Sequence, residues 1–276
     1  MANAFLQSCD RHAITMNRKL EGINRRESGL YQLELLQTRT QDGFTRVNAE
    51  AGRELVCARK VILAIPHLAL TLLRWKTLRD PLVNEALHAV IPFATSKVFF
   101  TFPKAWWLDN PSLSAHVMKS ELPFSQMYDW KFSNVSGSYV LLASYADVAR
   151  TIHLQNLNSG DDLIPGSAPG ANKVTNRLKE ELLSHLALAF GIRRQAIPEP
   201  TSAISVFWVQ YPYDGGLTTW KAGYIYNDVR NIIQHPSLLD DVYIVGSDHA
   251  FLDMTVWVEG ALSTVDAVLD MYFSHI

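Results

Sequence analysis

The chain has very little cysteine: two residues, Cys9 and Cys57, in 276. Two isolated thiols make no metal or redox motif, and the expectation is a reducing compartment with both thiols buried or half-buried. There is little net charge. Lysine plus arginine total 25 against 27 acidic residues, a formal charge of -2, which argues against a nucleic-acid surface. No apolar run reaches the roughly 18 residues of a membrane helix. MANAFLQSCDRHAITM has no basic segment followed by an apolar core, so no signal peptide is expected and the expected location is cytoplasmic. The nine histidines form no HExxH or other paired spacing, which speaks against a zinc site. GxSxG, P-loop and kinase signatures are missing, and so is the GxGxxG turn that opens a dinucleotide site.

What is present is a mixed α/β pattern. Residues 1–10 read as the end of a helix. HAITMNRKLEGINRR, LYQLELLQTR and RELVCARKVILAIP read as strands, with turns at Asp42-Gly43 and Ala51-Gly52. VILAIP is short, apolar and β-branched, so it predicts a buried parallel strand stopped by Pro66. HLALTLLRW and LVNEALHAVIPF predict helices. SKVFFTFPKAWW, SQMYDWKFSN, SYVLLASYAD and ISVFWVQYPY read as long aromatic-rich strands of an antiparallel sheet. NSGDDLIPGSAPGANK (158–173) has the composition of a loop, or of a disordered segment. Residues 173–191 give the clearest amphipathic helix, with Gly191 as its stop. DDVYIVGSDHA returns to a buried strand and VEGALSTVDAVLDMYF to a helix.

Three stretches invite chemistry, and each has a plainer reading. In YIVGSDHAFLDMTVWVEGAL a strand runs into a helix N-terminus, whose free N–H groups suit an anion or a polarised carbonyl. There Gly246 allows close approach, Asp248 can accept from a sugar hydroxyl, Trp257 can lie against a ring, and Gly260 and Ala261 leave room. The plainer reading is a strand-to-helix connection with an N-capping Asp or Thr. Lys97, at the head of an apolar strand, is either a snorkelling strand-end residue or a desolvated amine. Trp208, Tyr211, Tyr213 and Trp220, around the Gly215-Gly216 turn, suit a flat ring or a cationic ligand, and equally a core.

The order of KVILAIP, PFATSKVFFTFPKAWW, QYPYDGGLTTWKAG and YIVGSDHAF…VWVEGAL resembles the flavin-containing amine oxidase family, which includes monoamine, polyamine and L-amino-acid oxidases. The resemblance runs from about residue 12 to the end. It implies FAD as cofactor. Leu20 matches the position that contacts adenine, and VILAIP, with Ile65, the strand under the pyrophosphate. Lys97 matches the lysine that holds a water near the flavin. Gly246, Ser247 and Asp248 match the Gly-x-Glu segment, and Trp257 and Val258 the aromatic wall and backbone contact of the GWxEGA turn. Tyr128 resembles a substrate-carboxylate tyrosine of L-amino-acid oxidases. The chain departs from the family at Val256 (usually Gly), at Asp248 (usually Glu), and by one residue between Pro92 and Lys97.

The implied fold is an incomplete FAD-binding Rossmann-type domain (1–90 and 236–276) with an inserted mixed antiparallel-sheet substrate domain (91–235). The missing GxGxxG unit leaves three explanations: a second polypeptide that carries the dinucleotide-binding half, a cut chain, or a truncated relative without FAD. An apolar strand such as YIVGS needs neighbours on both sides, which favours the first two and predicts an obligate interface above about 2,000 Å². The implied reaction is oxidation of an amine or L-amino acid to the imine, hydrolysed to keto acid and ammonia, with O₂ reduced to hydrogen peroxide. It requires a neutral amine, so activity rises from acid to mildly alkaline pH. Aromatic residues near the pocket point to an aromatic or large apolar L-amino acid. The competing class is a non-catalytic interaction or regulatory relative. Lys97 and the WVEGA turn argue against a desaturase or a porphyrinogen oxidase.

Overall fold

The computed structural model describes residues 14–109, 116–208, 216–251 and 257–273. The expected helix end at 1–10, Cys9, Tyr211, Tyr213, Gly215 and Val256 lie outside the described residues.

The first sheet is a meander of β1 (Arg18–Arg25), β2 (Tyr31–Gln41), β3 (Phe44–Val47) and β4 (Arg53–Ala58), with β1 and β2 antiparallel and both β3 and β4 against β2. Asp42 and Gly43 close the β2–β3 hairpin with φ of 50° and 75°, both in the left-handed region that a tight two-residue turn requires. β5 (Val61–Leu63) follows, then α1 (His67–Thr71), then β6 (Arg74–Trp75), which returns to pair with β1 in parallel. The helix expected over HLALTLLRW therefore stops early. In α2 (Pro81–Leu87) the Asp80 side chain accepts from the backbone N–H of Leu82 and Val83, and Pro81 sits at the first turn, where its missing N–H costs nothing.

The residues VIPF, expected to end that helix, instead open β7 (Val90–Phe102), the longest strand. β7 pairs with β10 (Ser138–Asp147), and the sheet continues to β9 (Gln126–Ser133) and β8 (Val117–Lys119). α3 (Val148–Leu157) leaves β10 directly, and α4 (Asn176–Phe190) covers the sheet. On the other edge of β7, β11 (Ser202–Phe207) and β12 (Gly216–Trp220) lie end to end. Gly216, at φ 99°, starts β12 where a Cβ would stand 1.8 Å from Thr95 Oγ1, so only glycine fits.

α4 matches the periodicity read from the sequence. Leu178, Leu182, Leu183, Leu186 and Phe190 face Val98, Phe100 and Trp107, each large side chain contributing about 1.5–3 kcal/mol by burial. Thr175 caps its N-terminus and Gly191, at φ 66°, its C-terminus. Residues 158–173 are not disordered. The Asn158 amide donates to Lys173 O and Ser205 Oγ, and Ala168 N donates to Ala203 O, fastening the loop to β11. Cys57 is exposed rather than buried.

After β12 come α5 (Tyr226–Gln234), β13 (Val242–Ile244) and α6 (Val258–Tyr272). β13 pairs with β5 in parallel, Val242 to Ile244 against Val61 to Leu63, as the apolar run VILAIP implied. Val229 and Ile233 of α5 join Leu63, Trp75, Val83 and Ile244 in one core, while α6 covers the other face of β13 through Val268. The chain is thus a mixed α/β structure whose beginning and end meet in the two-stranded parallel sheet.

Candidate functional site

The parallel pair delivers two loops to one end. β5 runs through Ile65 and Pro66 into α1, and β13 through Val245 into Gly246, Ser247 and Asp248. Gly246 has φ 139° and ψ 171°, a conformation essentially confined to glycine. Nothing lies within 4 Å of where its Cβ would be, so this backbone is open to close approach. Its N–H is already committed to Thr264 Oγ1 of α6 at 2.9 Å.

Asp248 faces inward. One carboxylate oxygen accepts from the His67 N–H at 2.8 Å and the other from the Thr218 hydroxyl at 3.3 Å. α1 has Pro66 as its own cap and no side-chain cap bond, so Asp248 caps α1 from across the fold. The plainer expectation, an Asp or Thr capping the helix that follows, is not what occurs: the N-cap of α6 is Trp257, with no side-chain cap bond.

Two hollows adjoin these loops. A recess of about 20 Å³ is lined by Ile65, Gly246, Asp248, Arg230, Gln234 and Thr264, among others. A cleft of about 610 Å³ is lined by Leu20, Ile65, Ala69, Leu72 and Phe44 with residues of β1 and β2. Ile65 borders both. Four expected cofactor residues from separate segments, Leu20, Ile65, Gly246 and Asp248, therefore line two adjoining hollows. Ser247 is half-buried and Ala261 half-buried on α6, and neither lines these hollows. Trp257 and Val258 stand 64% and 69% exposed at the start of α6.

Lys97 sits well inside β7, with Tyr145 of β10 opposite on one side and Val206 of β11 on the other. Its ammonium lies 4.7 Å from the Tyr145 ring centroid and 5.8 Å from that of Trp208. Tyr128 is beside Tyr145, ring centroids 6.5 Å apart, and donates its hydroxyl hydrogen bond to Gln126 Oε1. Burial, then Tyr128 and Asp147, raise the Tyr145 hydroxyl above the usual tyrosine range. Lys97 and Tyr128 thus both border Tyr145. Trp220 is not with them: it pairs with Val90 at the far end of β7, and its indole N–H donates to Ala250 O at 3.1 Å.

Tyr145 and Arg230 were missed in the sequence reading. Tyr145 lies in SYVLLASYAD, expected as an aromatic-rich strand of the antiparallel sheet, beside the strand of Tyr128, the tyrosine expected at the site. Arg230 lies between Val229 and Ile233, both buried, on a helix whose apolar face it shares. A charged residue inside that period was the available signal. The buried His249, 6.0 Å from the His67 ring, is held down to a pKa of about 4, first by desolvation and then by His67. It is neutral at ordinary pH.

A flavin dinucleotide fits these features in part. The open backbone at Gly246, the α6 N-terminus without a side-chain cap, and the hollows joined at Ile65 suit an extended ligand that carries phosphates. Asp248 is the less open element, since both its oxygens already accept a hydrogen bond.

A model of the flavin-containing amine oxidoreductases matches residues 7–264. The chain is 54% identical over 274 residues to "Achacin" of Lissachatina fulica, covering 99% of this chain and 51% of that protein. It is 45% identical over 271 residues to "Aplysianin-A" of Aplysia kurodai, covering 98% of this chain and 49% of that protein. The chain spans about half the length of these curated relatives.

Proposed function

Because the chain belongs to the flavin-containing amine oxidoreductase family, whose cofactor is FAD, we propose that it forms the substrate-side half of an L-amino-acid oxidase. The observation that carries this reading is the position of Ile65, shared by the hollow that holds Leu20 and the one that holds Gly246 and Asp248. Bound FAD supplies a two-electron acceptor for oxidation of the substrate C–N bond and passes the electrons to O₂, giving hydrogen peroxide.

The chain's own residues do the positioning. Lys97, held over Tyr145 and close to Trp208, orders a water at the reacting side. Tyr128 holds the substrate carboxylate, Trp257 forms an aromatic wall, and Trp220 supports the floor through Ala250. The imine product is hydrolysed to keto acid and ammonia. The cofactor side comprises residues 1–90 and 236–276, as an incomplete Rossmann-type domain, and the substrate side 91–235, with α5 leaning onto the cofactor-side core.

The dinucleotide-binding half is brought by a second polypeptide or by further sequence of a longer one. The two-stranded parallel sheet supports this reading. Parallel sheets are normally covered on both faces, yet Ile62 of β5 is 39% exposed, and Leu262 and Met271 of α6 are exposed too.

The test is to purify the protein with whatever binds it, record the visible flavin bands, and assay hydrogen peroxide formation with aromatic and large apolar L-amino acids. Yellow protein with amino-acid-dependent peroxide is expected, and Lys97→Met should lower turnover on the order of 10²-fold. Colourless protein with no peroxide would leave the non-catalytic relative as the better reading.

A further inference from the structure

Arg230 is a buried cation with no ion-paired partner among the described residues. Only 9% of its surface is exposed, its Nε has no hydrogen-bond partner, and it takes part in no ion pair among the described residues. The Phe251 ring lies against it, 3.8 Å from the guanidinium carbon to the centroid. A cation over a ring face uses none of the guanidinium's N–H donors, and Nε stays unpaired among the described residues. One helical turn later, Gln234 Nε2 is also buried with no partner among the described residues. Both side chains line the recess that Ile65, Gly246 and Asp248 share. Asp248, whose carboxylate lines the same recess, forms no ion pair with Arg230 and accepts from the His67 N–H and, more weakly, from the Thr218 hydroxyl.

A folded protein does not usually hold an uncompensated buried charge, because desolvation is costly unless an opposite charge and hydrogen bonds offset it. The recess, at about 20 Å³, has room for one water-sized group. A water satisfies hydrogen bonds but brings no charge. An oxyanion oxygen of the same size brings both, and a guanidinium edge with an adjacent amide N–H is the donor set that phosphate and carboxylate oxygens select. The open space beside Gly246 lets a group larger than one oxygen continue out of the recess along the backbone.

We propose that Arg230 and Gln234 form an oxyanion site that takes a phosphate oxygen of a dinucleotide crossing the ends of β5 and β13. The identity of the dinucleotide rests on the flavin reading above; the anion site itself does not.

The experiment compares the protein, stripped of flavin, with its Arg230→Met and Arg230→Lys variants. Inorganic pyrophosphate should raise the melting midpoint of the parent by several degrees relative to potassium chloride at equal ionic strength. R230M, which replaces an unpaired buried charge by an apolar chain, should melt at or above the parent midpoint and show no pyrophosphate shift. It should bind FAD at least tenfold more weakly, read from flavin fluorescence rather than activity. If R230M does not fold, R230K, which keeps the charge but loses the fork, should show a reduced shift. A pyrophosphate shift retained in full by R230M, or by R230K where R230M does not fold, overturns the site. Equal FAD binding by parent and variant, with no pyrophosphate shift in either, overturns the site while leaving the flavin reading intact. A shift that depends on Arg230 in a protein that binds no FAD supports the site and removes the flavin reading. If neither probe responds, but R230M weakens association with a companion polypeptide, the counter-ion is a carboxylate and the phosphate assignment fails.

Discussion

The ammonium of Lys97 stands 4.7 Å from the ring centroid of Tyr145, its cross-strand partner on β10, so the ring fixes where the amine can point. A cation over an aromatic face is worth about 0.5–2 kcal/mol, depending on how far it is desolvated. Tyr145→Phe keeps the face and should leave turnover close to that of the parent. Tyr145→Leu removes it, and turnover should fall roughly tenfold, equivalent to about 1.4 kcal/mol in the barrier. Steady-state peroxide assays of the two variants, each checked for an unchanged circular dichroism spectrum, decide this. Equal activity of both would mean that the ring does not position Lys97.

Asp248 joins three elements, because it caps α1 through His67 and accepts from Thr218 of β12. Asp248→Ala leaves the His67 N–H without its acceptor, while the Thr218 hydroxyl keeps the Asp248 backbone carbonyl, at a cost of about 1–3 kcal/mol. Asp248→Asn keeps an acceptor and should lose less. Urea denaturation of the three proteins measures the order. If the alanine variant is as stable as the parent, Asp248 is not structural, and its carboxylate is free for another role.

His249 should contribute an acid limb to the stability curve. Its folded pKa of about 4 lies below the roughly 6.5 of an unfolded histidine, so the unfolded state binds the proton more readily. The contribution is present in full above about pH 6.5 and is lost as pH falls through about 4. The shift corresponds to roughly 3 kcal/mol. His249→Gln should flatten this limb between pH 6.5 and 4 in thermal melts. An unchanged acid limb would show that other groups govern it.

How far the sequence carried the fold is clearest where the deciding interactions are local. The Asp42-Gly43 turn, the amphipathic helix within 173–191 with its Gly191 stop, and the short parallel strand VILAIP were all legible, because turn conformations, C-caps and apolar periods act within a few residues. The start of β7 was not. VIPF reads equally well as helix, and its pairing with β12, across more than a hundred residues of sequence, decides for strand. The meeting of Leu20, Ile65, Gly246 and Asp248 was expected only through the order of motifs. The pairing of Tyr145 with Lys97 and the burial of Arg230 were not expected at all.

By itself the sequence determined the locally encoded elements, the glycines that tight conformations require, and the family. Tertiary structure alone decided what the polar residues do. Asp248 became the cap of a helix that begins 181 residues earlier in the chain. Arg230 became a buried charge, because Val229 and Ile233 drew its helix face into the core. The physical reason is one of range: backbone conformation and apolar periodicity are set by near neighbours, whereas the desolvation and pairing of a charge depend on whatever the fold packs against it.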